Sequence, residues 1–209
     1  MNYRVLFCLA LCLPGWAWAS QCSLLIVGDS LSSGYGLAAG ESWVDQLGTR
    51  LAESAPDWRV VNASVSGDTT QNGLQRLSPA LQRHRPQGVL IELGGNDAMR
   101  GIPPAAIRQN LVALVNRAKV TGVWVVLLEP PVLPNYGKPY ATAVARLYKD
   151  VAREQKIILV SCFICSVGAD PALMQADGIH PNAKAQGKIL DTVWPYIQPK
   201  LHCKPGMRS

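Results

Sequence analysis

The sequence predicts an α/β fold in which a parallel sheet of five strands lies between two layers of helices. Short apolar runs alternate with longer segments whose apolar residues recur every three or four positions, and this order repeats five times. The apolar runs are continuous rather than alternating, which is typical of strands buried on both faces. A chain of 209 residues, 48% of them hydrophobic, suits one domain with a sizeable core.

The individual elements follow from these patterns in chain order. The predicted strands are residues 24–27, 59–62, 89–93, 122–128 and 157–160. The predicted helices are residues 41–53, 70–83, a segment opened by Pro103 and Pro104, 141–153 and 183–197. The proline- and glycine-rich residues 130–139 are predicted to form a loop. Together they give a doubly wound, three-layer α/β/α domain.

The N-terminus has the pattern of a secretory signal. Arg4 precedes an apolar run over residues 5–13, and Ala17-Trp-Ala19 is a typical cleavage site. Pro14 and Gly15 interrupt the run well short of the roughly 20 residues that a spanning helix needs. We therefore expect a signal peptide at 1–19, a single mature domain at 20–209 and a periplasmic or secreted protein. An uncleaved anchor is one alternative, and lipid attachment at Cys22 is another, although the Ala-Ser-Gln before this cysteine matches such a signal poorly.

Export changes how the six cysteines are interpreted, because two of them lie in the signal. Four remain, and an oxidising compartment favours disulfides among them. Cys22 precedes the first strand, and Cys203 follows the last helix, which returns to the same end of the sheet. We therefore predict a Cys22–Cys203 bridge. Cys162 and Cys165 either pair with each other or stay reduced in the core.

The charge pattern restricts the partners. The net charge is +6, but the basic residues are scattered and no aromatic residues are interleaved with them. Nucleic-acid binding is therefore poorly supported. We expect small-molecule substrates, no stable membrane insertion beyond transient contact with lipid, and a monomer.

Polar clusters follow the strands at points that a parallel sheet brings to one edge. Asp29 and Ser30 follow the first strand, residues 62–68 the second and residues 94–97 the third. Residues 177–182 lie between the fifth strand and the last helix. All four clusters can therefore converge on one cleft.

The residue types in these clusters are those of nucleophilic catalysis. Ser30 can attack a carbonyl if a base takes its proton, and His180 is the best base in the chain. Asp177 can fold back through Gly178 to hold the other imidazole nitrogen. The backbone N–H groups of Ser30 and Gly67 and the side-chain amide of Asn96 are candidates for an oxyanion hole.

Simpler interpretations exist for the same residues. Ser30 could cap the following helix, since serine is favoured there. We expect Asp29 to support the turn at Ser30, Asp68 to cap the next helix and Asp97 to be structural. Asp29, Asp68, Asp97 and His180 could also be imagined as a two-metal site, but such sites use several histidines. Serine hydrolysis is favoured, with no metal and no cofactor.

The four blocks Gly-Asp-Ser, Val-Ser-Gly-Asp, Gly-Gly-Asn-Asp and Asp-Gly-Ile-His resemble those of the SGNH, or GDSL, hydrolases. They occur in the family's order over nearly the whole mature chain. The resemblance implies the flavodoxin-like SGNH fold, with Ser30 as nucleophile and Asp177 and His180 completing a triad. It also implies that Ser30, Gly67 and Asn96 form the oxyanion hole.

Substrate expectations rest on finer resemblance. VVNASVSGDTTQNGLQRL, ELGGNDAMRG, PNYGKPY and DGIHPN resemble the bacterial periplasmic esterases of that family that act on acyl-CoA thioesters, lysophospholipids and aryl esters. This implies that one loop borders the acyl groove, formed by Ala98, Met99, Arg100, Gly101, Ile102 and Pro103. A carbohydrate O-acetyl esterase is the alternative, and a non-catalytic lipid- or glycan-binding module is a further one. The mature chain's cysteines depart from the pattern of those esterases.

Overall fold

The computed structural model describes residues 21–131 and 136–203, so the predicted signal peptide, residues 1–19, lies outside the described residues. Its centre is a five-stranded sheet in which every pairing is parallel. The strand order is β2-β1-β3-β4-β5. This is the flavodoxin-like doubly wound order, with its switch point between β1 and β3. The strands are β1 (Cys22–Gly28), β2 (Trp58–Asn62), β3 (Gly88–Glu92), β4 (Trp124–Leu128) and β5 (Ile158–Val160).

Helices cover both faces of the sheet. They are α1 (Ser30–Ser33), α2 (Trp43–Ser54), α3 (Thr70–His84), α4 (Gly95–Met99), α5 (Pro104–Lys119), α6 (Gly137–Gln155), α7 (Cys165–Gly168) and α8 (Ala183–Ile197). Two short 3-10 turns occur at Pro171–Leu173 and Gln198–Lys200. Within the described ranges, no helix is long and apolar enough to span a membrane.

The predicted fold class is confirmed, and the sequence-based bounds differ mainly at one place. Helix α6 begins at Gly137, so the last part of the predicted 130–139 loop is helical. Pro139 lies in the first turn of this helix, where its missing N–H costs no intrahelical bond. The four- and five-residue helices α1, α4 and α7 were not predicted, because they are too short to show a helical period.

The core consists of two layers, one on each face of the sheet. Leu24 and Ile26 face the layer that contains residues of α2, α7 and α8. Leu25 and Val27 face the layer that contains residues of α3, α5 and α6. All four side chains are buried, as expected for a strand covered on both faces.

The cysteines form two bridges. Cys22 is bonded to Cys203, as predicted, across a sequence separation of 181 residues. Cys162 is bonded to Cys165, which resolves the alternative that the sequence left open. The first bridge lies at the amino end of β1, and the second follows β5 at the sheet's carboxyl side.

Candidate active site

Ser30 stands at the sharp turn between β1 and α1. It is the first residue of the helix, and the cap is Asp29, whose carboxylate accepts a hydrogen bond from Leu31 N at 3.0 Å. The turn is tight, because a Cβ on Gly28 would lie only 2.8 Å from Glu92 Oε2. The helix is therefore capped without the Ser30 hydroxyl, which stays available for other contacts.

Three side chains form a hydrogen-bonded triad. Ser30 Oγ lies 2.8 Å from His180 Nε2. His180 Nδ1 lies 2.6 Å from Asp177 Oδ2. Residues 150 positions apart in sequence are thus brought into the geometry of a nucleophile, a base and the carboxylate that orients the base.

A compact loop holds the histidine in this position. Asp177 Oδ1 accepts hydrogen bonds from the backbone N–H groups of Ile179 (2.9 Å) and His180 (3.0 Å). Gly178, with a φ of 67°, makes the turn that brings the carboxylate back towards the imidazole. These bonds, led by the one from the His180 backbone, lower the pKa of Asp177 to about 2. Asp177 is therefore ionised at neutral pH.

Tyr35 and Gln175 contact this loop from outside the predicted motifs. The Tyr35 ring lies against the His180 imidazole, with 4.6 Å between the ring centroids. Gln175 Nε2 donates to Tyr35 O at 2.9 Å, and Gln175 N donates to His180 O at 2.7 Å. Gln175 thus links the backbone of the loop after α1 to that of the histidine loop.

The three predicted oxyanion donors differ in their hydrogen bonding. Among the described residues, neither the Ser30 nor the Gly67 N–H has an acceptor. Asn96 Nδ2, in contrast, donates to Asp29 Oδ2 and to Asp68 O, both at 3.0 Å. The two backbone donors are free, whereas the amide of Asn96 would have to exchange one acceptor to bind an oxyanion.

Two buried carboxyl groups lie beneath the Ser30 turn. Glu92 Oε2 accepts from Asp29 N at 3.3 Å and from Ser32 Oγ at 2.8 Å. Burial raises the pKa of Asp29 to about 6. Burial, reinforced by the Asp29 charge, raises the pKa of Glu92 well above its ordinary value. The turn therefore packs against a buried carboxyl group whose neutral form is favoured by its surroundings.

Asp68 and Asp97 fix the loops around the site. Asp97 accepts from Thr70 N at 2.8 Å and from the Thr70 hydroxyl, which ties α4 to the start of α3. The expectation that Asp68 caps α3 is wrong, because Thr69 takes that position in a capping box with Asn72. Asp68 instead forms an ion pair with Arg76.

An apolar cavity of about 280 Å³ opens beside Ser30. Its volume is just below the range of about 300–1,000 Å³ that is usual for ligand pockets. Its polar lining comes from Asp29, Ser30 and Asn96. The other lining residues are Leu31, Gly95, Met99, Pro130, Pro131, Ile164, Cys165, Gly168, Ala169, Met174, Gly178 and Ile179.

The loop expected to border the acyl groove contributes less than predicted. Of its six residues, Met99 lines the cavity in the described structure, and the other five do not. Arg100 Nη2 donates to Gly67 O at 3.0 Å, and Ile102 O accepts from the Tyr140 hydroxyl at 2.6 Å. Ala98 is buried, Gly101 packs against the Tyr136 ring, and Pro103 precedes α5.

Sequence reasoning missed the residues after β5 that form much of the cavity wall. Ile164 and Ala169 occur in an apolar stretch where nothing in the sequence separates them from core residues, and Cys165 was considered only for its pairing with Cys162. It also missed Glu92, for which a signal existed: an acidic residue ends an otherwise apolar strand. Such a residue is rarely buried without a partner.

The fold is a doubly wound parallel sheet, and a serine, a histidine and an aspartate form a hydrogen-bonded triad at its carboxyl edge. This combination defines a serine hydrolase. The comparisons give the family. Residues 26–188 match the model of the GDSL-like lipase/acylhydrolase family. The chain belongs to this family of ester-hydrolysing enzymes, as its sequence blocks predict.

Three curated relatives are similar over most of their length. The chain is 47% identical over 194 residues to esterase TesA of Pseudomonas aeruginosa, covering 93% of this chain and 96% of TesA. It is 42% identical to an arylesterase of Vibrio mimicus, covering 87% and 90%. It is 39% identical to thioesterase 1/protease 1/lysophospholipase L1 of Escherichia coli, covering 88% and 87%.

Solved structures agree with this placement. The crystal structure of TesA superposes with a TM-score of 0.82, covering 86% of this chain and 99% of TesA. The psychrotrophic esterase EstA from Pseudoalteromonas sp., inhibited by monoethylphosphonate, gives the same TM-score at 36% identity, covering 86% and 98%.

Proposed function

We propose that this enzyme hydrolyses carboxylic esters and thioesters of fatty acyl groups through an acyl-enzyme on Ser30. The main support for the proposal is the hydrogen-bonded triad Ser30–His180–Asp177 beside an apolar cavity. A hydroxyl that attacks a carbonyl beside an apolar cavity suits a substrate with a reactive ester at one end and a hydrocarbon chain at the other.

In the first half of the reaction, Ser30 Oγ attacks the carbonyl carbon and His180 Nε2 takes its proton. The 2.8 Å separation of these atoms is within direct transfer distance. Asp177 accepts a hydrogen bond from the imidazole Nδ1–H and thereby leaves Nε2 as the basic nitrogen. Its low pKa keeps it ionised, so it also stabilises the imidazolium that forms.

The negative charge on the carbonyl oxygen is received by the oxyanion hole. The free N–H groups of Ser30 and Gly67 are its first two donors. The third is Asn96, whose Nδ2 turns one N–H from Asp29 Oδ2 or Asp68 O towards the oxyanion. Collapse of the tetrahedral intermediate expels the alcohol or thiol, which takes the proton from His180.

In the second half, His180 takes a proton from water, and the resulting hydroxide attacks the acyl-enzyme. The same donors receive the second oxyanion. Ser30 leaves with the proton held by His180, and the fatty acid is released. The chemistry is complete with the side chains of this site, so we propose that the enzyme needs no metal and no cofactor.

The names of the relatives and the lining of the cavity support the substrate class. The relatives are named as an esterase, an arylesterase and a thioesterase and lysophospholipase, so we propose aryl esters, acyl-CoA thioesters and lysophospholipids. The lining of the cavity of about 280 Å³ is mostly apolar, so a hydrocarbon chain covers more of it than a short acyl group does. An acetylated sugar would leave most of this apolar surface uncovered.

We further propose that residues 1–19 are a signal peptide cleaved after Ala19, and that the mature domain of residues 20–209 acts in the periplasm or outside the cell. The two disulfide bridges support export, since such bridges persist in oxidising compartments. Contact with lipid is transient, as required for a lysophospholipid substrate.

A substrate panel tests the proposal. It comprises nitrophenyl esters from acetyl to palmitoyl, one acyl-CoA and one lysophospholipid, with Ser30→Ala as the blank and a chelator as control. We expect kcat/KM to rise from the acetyl ester to medium-chain esters such as octanoate, because the cavity lining is apolar. A best substrate with an acetyl group would instead favour the O-acetyl esterase, and turnover that the chelator abolishes would favour metal chemistry.

A further inference from the structure

One wall of the cavity contains a disulfide bridge. The segment after β5 contributes Ile164, Cys165, Gly168 and Ala169 to the lining of the cavity that Ser30 and Asn96 also line. Cys165 is bonded to Cys162, three residues earlier. A cross-linked pair therefore lies at the surface that, if the proposed function holds, contacts the acyl chain.

The segment of residues 162–169 is buried in the core on one side and exposed to the cavity on the other. Phe163, Ile164 and Val167 are buried in the core layer shared with α2 and α8. Cys165 and Ala169 are exposed on the cavity side. The wall is thus the outer surface of α7, which has four residues and too few internal hydrogen bonds to hold its shape alone.

The backbone at the start of this segment adopts a conformation that needs support. Cys162 has a φ of 45°, in the left-handed region that non-glycine residues rarely occupy. The bridge and a hydrogen bond from Cys165 N to Cys162 O at 2.9 Å tie Cys162 to Cys165, and the next residue, Phe163, donates from its N to Glu129 O at 3.2 Å. Without the bridge, we expect Cys162 to relax towards ordinary backbone angles and the wall to shift.

We propose that the Cys162–Cys165 bridge determines acyl-chain selectivity by fixing this wall of the cavity. The inference rests on the proposed function. A fixed wall keeps continuous contact with a chain that fills the cavity, and even a small gap forfeits much of that contact energy. A short acyl group makes few contacts with the wall, so it is affected less.

The second bridge provides a matched control. Cys22–Cys203 is also a disulfide, but it lies at the amino end of β1, away from the cavity. Removing it changes stability and leaves the cavity lining intact. A selectivity change caused by the wall is thereby separated from one caused by general loosening.

The first experiment compares Cys162→Ser/Cys165→Ser with Cys22→Ser/Cys203→Ser on nitrophenyl acetate and octanoate at moderate temperature. We expect the ratio of kcat/KM for octanoate to that for acetate to fall about tenfold in the first variant, because losing contact with one methylene in a hydrophobic pocket costs at least that factor. The ratio in the second variant should equal that of wild type.

The second experiment reaches the same state without altering residues 162 and 165. Cys22→Ser/Cys203→Ser keeps only the cavity bridge among the described cysteines, so dithiothreitol reduces that bridge alone. Two electrons and two protons pass to Cys162 and Cys165, and the reagent becomes a cyclic disulfide. The esters are assayed once peptide mapping finds Cys162 and Cys165 as thiols. If Cys162→Ser/Cys165→Ser does not fold, this experiment alone tests the effect of the bridge on selectivity.

The outcomes separate the inference from the proposed function. A fall in the octanoate-to-acetate ratio on loss of the cavity bridge alone supports the inference. An unchanged ratio, or an equal fall in both double variants, overturns it while esterase activity stands. Failure of the wild type to hydrolyse either ester above the Ser30→Ala level overturns the proposed function itself.

Discussion

Glu92 Oε2 accepts a hydrogen bond from Ser32 Oγ at 2.8 Å, two residues beyond Ser30. Glu92 is fully buried and also accepts from the backbone N–H of Asp29. Within the described ranges, its other carboxyl oxygen has no partner. The turn that presents Ser30 therefore rests on a carboxyl group for which the neutral form is favoured, and this has a measurable consequence for stability.

Glu92 should make the protein less stable as pH rises. Its folded pKa is raised above the ordinary 4.5, so above that pH the folded chain holds a proton that the unfolded chain releases. Stability falls in that window by up to about 1.4 kcal/mol per pH unit for one proton. In Glu92→Gln the free energy of unfolding should fall less steeply as pH rises above the ordinary pKa of 4.5. Urea unfolding measures both slopes.

The surface variant Glu154→Gln is the control, because Glu154 is exposed and pairs with Arg108. It should keep the wild-type slope. Equal slopes for wild type and Glu92→Gln would mean that Glu92 is ionised in the folded protein.

Asp177→Asn should lower kcat by at least about 10²-fold, because the amide presents an N–H to Nδ1 and favours the wrong imidazole tautomer. The pKa of Asp177 in the folded protein is about 2, below its ordinary 3.8. The ionised carboxylate therefore stabilises the fold fully above pH 3.8, and this contribution is lost as pH falls towards 2. Steady-state kinetics near neutral pH measure the effect of the substitution alone. Asp170→Asn is the matched control, since Asp170 caps the nearby 3-10 turn. A loss of similar size in both variants would point to loop disorder.

Asn96→Ala should lower kcat by about 10²- to 10³-fold with little change in KM, as loss of one oxyanion donor does. Asn96 also contacts Asp29 and Asp68, so the kinetic pattern is informative. An effect confined to KM would assign Asn96 to ground-state binding. Asn110→Ala, which removes an amide that donates to Thr70, serves as the control and should retain activity.

Removal of the Cys22–Cys203 bridge should lower Tm and spare activity at moderate temperature. The bridge closes a loop of 181 residues, for which chain entropy gives on the order of 5 kcal/mol. We expect Cys22→Ser/Cys203→Ser to melt about 10 °C below wild type. Differential scanning calorimetry measures this, and peptide mapping without reduction checks the pairing. A Cys22 peptide linked to Cys162 or Cys165 would contradict it.

The elements with strong local signals were predictable from the sequence. Helix α8 begins and ends where its pattern places it, because Asn182 caps it and its apolar positions keep the helical period. The five strands and their parallel direction were predicted from continuous apolar runs separated by helices. Pro139 misled the prediction, since proline is compatible with both a loop and the first turn of a helix.

The residues that depend on tertiary contacts were not predictable. Tyr35 contacts His180, and Glu92 contacts Ser32, across long sequence separations that no local pattern encodes. The cavity wall at Ile164 and Ala169 looks like core in the sequence, because the same apolar residue types serve both purposes. Asp68 and Thr69 are both residue types that cap helices. In the structure Thr69 caps α3, and Asp68 forms an ion pair with Arg76.

Covalent labelling determines whether Ser30 is the residue that carries the acyl group. Treatment with a nitrophenyl alkylphosphonate, followed by peptide mapping by mass spectrometry, should find one adduct per chain on Ser30. Activity should fall in proportion to labelling, and Ser30→Ala should remain unlabelled with turnover below roughly 10⁻² of wild type. An adduct on another residue, or full turnover with Ser30 completely modified, would show that Ser30 is not the nucleophile.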